Sequence, residues 1–279
     1  SGSGELDNGM TVSLSFVLDQ GDDGNTVGAS ATNKIGGTAP FDSHSVTVSS
    51  DAMGTLVFAG EGGSSAASSI DTTAAGDVWD SFDTKVGGLG GTAGVAVADS
   101  APGDNSFFYT LPSMVDGLAV NASYKPQGST AESAIGYGVA YTGVEGLAVH
   151  YATTDIEGAT VALTGDQTVL KATYAYGPVT VGYSSSEMDM GDTTLATDQD
   201  TTSYSISYTV SDAISVTYGT EEIDKGSVAV DAEYEVIKGS YTSGGMTVSA
   251  SMKDGSNIGH STDADEDMEY WSLGLSFAF

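Results

Sequence analysis

Seven carboxylates and one ammonium group share a single long connection. Between residues 61 and 104, Glu61, Asp71, Asp77, Asp80, Asp83, Asp99 and Asp104 stand against Lys85 alone. If this stretch folds into a confined aqueous passage, its carboxylates concentrate cations and exclude anions. If it stays outside, it is an ordinary solvated loop. Trp79 and Phe82 sit among Asp77, Asp80 and Asp83 in a run short enough for one helical turn, where their rings could pin the loop to a wall. Two cations are placed to meet these acids. Lys171 falls on the polar phase of its segment, opposite Tyr174 and Tyr176, and Lys238 is out of phase with Tyr241. Either lysine points inward or reaches toward water from a rim.

Other chemistry is thin. The acidic runs at 187–192 and 263–267 offer oxygen ligands suited to weak Ca²⁺ binding at Asp189, Asp192, Asp263, Asp265 and Asp267. Their spacing does not match an EF-hand, so a hydrated acidic rim is the competing reading. His44, His150 and His260 are too scattered for a metal cluster. No Ser/His/Asp arrangement, phosphate loop or nucleotide fingerprint is present, so no catalysis and no resident cofactor are expected. Cysteine is absent, which removes disulfides, thiolate metal sites and thiol chemistry. The net charge of −31, with seven lysines and no arginine, repels phosphate backbones and excludes nucleic-acid partners.

The elements that position these residues are strands. Apolar and small polar residues alternate again and again, as in Tyr204, Ile206 and Tyr208 against Ser203, Ser205 and Ser207, the period-two signature of a two-faced strand. The chain closes the same way: Trp271, Leu273, Leu275, Phe277 and Phe279 share one face. Tight turns such as 51–54, 177–178, 211–212 and 243–245 alternate with long acidic stretches such as 185–201 and 253–268, the arrangement of an up-and-down membrane barrel. Tyr141, Tyr176, Tyr208 and Tyr241 each precede a tight turn, whereas Tyr151, Tyr183 and Tyr218 lie farther along the following strands. With Tyr174, Trp271 and Phe279 they predict aromatic girdles at two interfaces.

About fifteen strands are legible, on the principle that such barrels use strands of roughly ten residues. Among them are 146–153, 178–185, 213–220 and 245–252. An even count is expected of a closed antiparallel barrel. A further strand upstream of Ser1, pairing with the last one, would bring the total to about sixteen. The whole chain, 1–279, then reads as one all-β transmembrane antiparallel domain. Asp231, Glu233 and Glu235 share a phase with Ile237 and Tyr241. Either a bulge near 235–236 flips the register, or these acids lie above the membrane.

At this point the chain resembles a trimeric general porin of the proteobacterial type. Gly54-Thr-Leu-Val-Phe-Ala-Gly60 resembles the strand that leads into that family's constriction loop. The stretch from Asn105 to Tyr124 resembles the hairpin after it, and Leu-Ser-Phe-Ala-Phe279 its closing strand. The resemblance implies a sixteen-stranded barrel in the outer membrane of a Gram-negative bacterium, embedded in lipid and assembled as a homotrimer. It implies passive diffusion of small hydrophilic solutes, with 61–104 as the inward-folded loop that narrows the pore. The expected constriction is then Glu61, Asp71, Asp77, Asp80 and Asp83 facing Lys171 and Lys238. One departure stands out. General porins usually set an arginine or lysine cluster on the wall opposite the acidic loop, so here the transverse field is either weak or built from Lys171 and Lys238 alone. Acidity and alternation together predict a cation preference. The competing reading is a soluble or surface-attached acidic β-rich adhesin or calcium-binding structural module.

Overall fold

Alternation on this scale needs a sheet with one greasy face and one wet face, and the computed structural model has that form. It describes residues 1–18, 41–83, 105–127, 132–194, 197–226, 228, 230–260 and 267–278; the side chains of Leu18, Phe41, Asp42 and Asp83 are outside the description. Fifteen strands form one sheet in which each pairs with its sequence neighbour, always antiparallel. They are β1 Gly2–Glu5, β2 Thr11–Leu18, β3 Phe41–Ser50, β4 Gly54–Glu61, β5 Ser106–Thr110, β6 Leu118–Lys125, β7 Ser133–Tyr141 and β8 Leu147–Glu157. There follow β9 Gly165–Tyr176, β10 Val179–Met190, β11 Gln199–Ser211, β12 Ile214–Lys225, β13 Ala232–Ser243, β14 Met246–Ser256 and β15 Met268–Phe277. No helix is long and apolar enough to cross a membrane among the described residues. The fold is a transmembrane up-and-down β-barrel.

Short turns gather at one rim and long connections at the other. The short turns are tight enough to dictate residue type. Gly54 opens β4 at φ 77°, and a Cβ there would meet the Thr110 carbonyl oxygen at 2.2 Å. Gly146, also at φ 77°, would meet the Ala175 carbonyl oxygen at the same distance. Only glycine combines a positive φ with so close an approach of neighbouring backbone.

Register sorts the side chains into two faces. Ile206, Tyr218, Ile237, Met252 and Trp271 are cross-strand neighbours in one row over β11 to β15. All five are exposed, from 40 to 72%. Tyr174 and Val181 are exposed on the same face. This is the lipid side. One residue out of phase, Ser184, Ser203, Glu221 and Tyr234 form the corresponding inner row over β10 to β13, and each is buried.

Toward the long-connection rim the outward face changes chemistry. Asp155, Asp166 and Asp189 lie directly opposite one another across β8, β9 and β10. Glu187, Asp200 and Asp224 do so across β10 to β12, and Glu235, Asp254 and Glu269 across β13 to β15. Carboxylates stacked this way cannot sit in hydrocarbon, so these strand ends stand above the membrane. Pairing of β13 with both neighbours is continuous. Of the two readings of Asp231, Glu233 and Glu235, the bulge is therefore absent, and the acids extend past the lipid. For the same reason β8, β10, β12 and β14 run several residues beyond their expected ends at 153, 185, 220 and 252.

Directly opposed like charges are destabilising. Partial burial is the larger cause that raises the carboxyls of Asp166, Asp200, Glu222 and Asp231, and neighbouring carboxylates raise them further. A raised acid holds its proton more tightly in the folded chain than in the unfolded one. Stability at this rim is therefore gained as pH falls through the raised values, and the gain is complete below the ordinary values of 3.8 for Asp and 4.5 for Glu. Lowering pH from about 7 to about 4.5 is expected to raise the temperature at which the barrel unfolds in detergent, followed by loss of sheet circular dichroism. An unchanged or lower transition at the acid end would refute the raised carboxyls at this rim.

Candidate functional site

The connection after β4 is seated on the inner wall, and a different strand supplies each seat. Ser123 on β6 and Thr154 on β8 accept hydrogen bonds from the Ala66 and Ala67 amides at 2.8 and 3.1 Å. Ser203 on β11 accepts from both Ala74 and Ala75 at 3.0 Å. Glu221 on β12 accepts the Trp79 amide at 3.0 Å. Three lysines complete the set. Lys171 on β9 pairs with Asp71 and donates to the Thr73 carbonyl at 2.8 Å. Lys238 on β13 donates to the Ala75 carbonyl at 3.3 Å, and Lys253 on β14 donates to the Ser81 hydroxyl. Hydrogen bonds to charged groups contribute about 1.5–3 kcal/mol each, roughly twice a neutral one.

Packing follows the same track. Ala66, Ala67, Ala152 and Val169 form one buried cluster, with Ile70 against it. Ala75, Val78 and Phe82 form another with Ile223, Ala232, Tyr234, Val236 and Ile258 of the wall and rim. The Phe82 and Tyr234 rings lie 5.5 Å apart. Phe82 belongs to the single helical turn α1, Asp80–Asp83. Glycines on the wall leave room for the chain: a Cβ at Gly136 would press on Ala66 at 3.0 Å, and one at Gly219 on Ala75 at 2.6 Å. Just before Trp79, Asp77 takes a left-handed φ of 51°. Its carboxylate accepts from the Thr73 hydroxyl at 2.8 Å, and that hydroxyl accepts from its amide at 3.0 Å.

The structure thus divides the residues singled out in the sequence. Lys171 and Lys238 both face inward and both meet the loop. Asp71 is paired with Lys171, while Asp77 and Asp80 are exposed beside the wall. Glu61 sits apart, at the end of β4, with Oε2 4.0 Å from His44 Nδ1. The side chain of Asp83, together with Lys85, Asp99 and Asp104, lies outside the described residues. Tyr141, Tyr151, Tyr174, Tyr176, Tyr208, Tyr218, Tyr241 and Trp271 are exposed on the outer face. Tyr183 is half-buried there against Tyr204, ring centroids 5.1 Å apart. Phe279 is outside the described residues.

Of the calcium candidates, Asp189 belongs to the outward acidic row on β10. Asp192 accepts from the Thr194 amide and hydroxyl at 3.0 and 2.7 Å, and Asp267 accepts from the Asn257 amide at 3.0 Å. Asp263 and Asp265 lie outside the described residues. Among the described residues no three ligating side chains come together.

Lys253, Glu221, Ser203, Ser123 and Thr154 are the loop-seating positions the sequence reading missed. Its strands stopped one residue short of the first two. The polar phase running through Ser249 and Ser251 to Lys253, and through Ser215, Thr217 and Gly219 to Glu221, was the available signal. The described inward positions of β2, β3 and β5, and those of β4 short of Glu61, carry hydroxyl, small or apolar side chains such as Ser13, Ser45, Thr47 and Ala59, with no charge.

A sequence model of the Gram-negative porin family matches residues 1–279. No curated protein matches the chain. Among solved structures, a refined porin is 20% identical and superposes with a TM-score of 0.60, covering 99% of this chain and 90% of that one. A mutant porin of Rh. blastica is 18% identical, with a TM-score of 0.60 over 100% of this chain and 88% of that one. The in-vitro folded trimer form of OmpT, an outer membrane protein of Vibrio cholerae, is 16% identical, with a TM-score of 0.50 over 85% and 80%. At such identities the structural likeness carries the fold, and the family match carries the membership.

Proposed function

The chain belongs to the Gram-negative porin family, an outer-membrane diffusion channel and not an enzyme, and from that premise we propose that its lumen favours cations and neutral solutes over anions. The loop seated on the wall from β6 to β14 is the constriction, and Asp77 and Asp80 are its working charges. The observation that carries this reading is where the lysines lie. All three that meet the loop stand on the wall that seats it, and Lys171 is neutralised by Asp71. With no charge on the described inward positions of β2, β3 and β5, the described residues build no positive wall opposite the loop for anions to follow. The acidic rim adds to the effect by raising the local concentration of cations. The exposed tyrosines and Trp271 serve as girdles that hold the barrel at the two interfaces. The protein works as a homotrimer, a reading supported by the family and by the trimer form of the Vibrio cholerae relative.

Reversal potentials across planar bilayers in a potassium chloride gradient test the proposal. The expected sign is that of cation preference, and an anion-selective reversal would overturn it. D77N/D80N is expected to lower the cation-to-anion permeability ratio several-fold, because charge in a narrow passage is weakly screened. An unchanged ratio in that variant would move selectivity to the rim.

A further inference from the structure

Below the seated loop, on the short-turn side, the inner wall of β12 to β15 holds a cavity of about 360 Å³. Ser215, Thr217, Ser240 and Ser251 line it, together with Lys238 and Lys253. The two lysines are diagonal neighbours: Lys238 pairs with Ser251, two residues before Lys253 on the adjacent strand. They are thus like charges on the same stretch of wall. Glu221 and Asp80 act on Lys253 from a distance, but among the described residues neither lysine has a carboxylate within 4.0 Å. Each donates one bond to the loop, and an ammonium has three to give. In a chain of net charge −31, these are two adjacent cations that form no ion pair among the described residues.

The hydroxyls around them are ordered. Ser215 and Ser240 are 2.7 Å apart, Ser251 and Ser272 2.8 Å. Each such pair keeps lone pairs and backbone-independent rotors available to a further partner. A cavity of this size is at the small end of organic-ligand sites.

We propose that this cavity is a seat for small polyhydroxylated carboxylates of the sugar-acid class, the carboxylate between Lys238 and Lys253 and the solute hydroxyls against the serine and threonine ladder. The inference rests on the transport reading and deepens it. Overall acidity governs which ions enter, and the seat governs which organic solute lingers. An anionic head supplies what the two ammonium groups lack, and a hydroxylated tail replaces the water that the wall hydroxyls would otherwise bind.

The test uses the full-length protein extracted in detergent and reconstituted in planar bilayers. Single-channel current in potassium chloride is titrated with gluconate, with glucose as the neutral analogue of the same skeleton, and with inorganic phosphate. Gluconate is expected to interrupt the current at concentrations about ten-fold below glucose, as two favourable ionic contacts require. Phosphate, which has no hydroxylated chain, is expected to act more weakly than gluconate. S240L/S251L fills the cavity without touching the lysine bonds to the loop, and K253M removes one cation. With each variant normalised to its own current, gluconate is expected to fall to the level of glucose in both. Equal action of gluconate and glucose on the unaltered protein would overturn the seat, as would undiminished gluconate action on S240L/S251L. Phosphate as effective as gluconate would reduce it to a bare anion site and overturn the sugar-acid assignment. Those results leave the channel itself standing, whereas a protein that conducts no ions at all would overturn both readings.

Discussion

Gly219→Val is expected to unseat the loop that follows β4. Gly219 lies on the inner face of β12, and a Cβ there would stand 2.6 Å from the Cβ of Ala75. Neither neighbour can yield by rotating a side chain. Ala75 is held by Ser203 through its amide and by Lys238 through its carbonyl, and β12 is paired on both sides. Overpacking of this kind costs about 1–3 kcal/mol, which raises the population of the displaced loop roughly 5- to 150-fold. Limited proteolysis of reconstituted protein reads that population directly, because cleavage tracks the open form. Cutting within 62–83 is expected to accelerate by at least about five-fold, with flicker in single-channel records. Gly274→Val is the control. Its Cβ would meet the Ser249 hydroxyl at 2.7 Å, a group that can rotate away and touches no part of the loop. Equal cleavage of the two variants would remove the wall-docking argument.

Ile206→Arg is expected to block stable insertion, whereas Ser207→Arg, its immediate neighbour, is tolerated. Ile206 is 47% exposed in the outward row, between Tyr204 and Tyr208, near the middle of β11. An arginine on the lipid face near the midplane costs about 2–4 kcal/mol, a large share of the stability of a typical fold. Ser207 faces the lumen, its hydroxyl 2.8 Å from that of Thr217, and an arginine there stays in water. Heat-dependent mobility on gels reports the first effect, and a reversal potential shifted toward anions reports the second. Similar heat resistance in the two variants would show that the faces have been assigned the wrong way round.

Where two solvents flank the sheet, the sequence was informative. Val181 and Ile206 sit against hydrocarbon and Ser184 and Ser203 against the lumen, so each strand carries the contrast in its own letters. Above the lipid that contrast disappears, because water lies on the outside too. There Glu187 and Asp189 alternate with Met188 in the opposite sense, and β10 was consequently cut short at 185. The candidate site was half legible for a related reason. Acid content marked the loop, and phase marked Lys171 and Lys238. Which strand would hold which loop residue depends on partners such as Ser203 and Ala75, 128 residues apart, and no local pattern encodes such a meeting. Lys238 shows the limit most clearly. Its phase placed it inward, but only three-dimensional placement shows that it bonds the loop from the same wall instead of opposing it across the lumen.

The loop comes early in the chain and its berths come late. Ala67 waits for Thr154 of β8, Trp79 for Glu221 of β12, and Ser81 for Lys253 of β14, 172 residues downstream. Such distant partners make closure slow. The seat of this loop is therefore incomplete until β14 is in place.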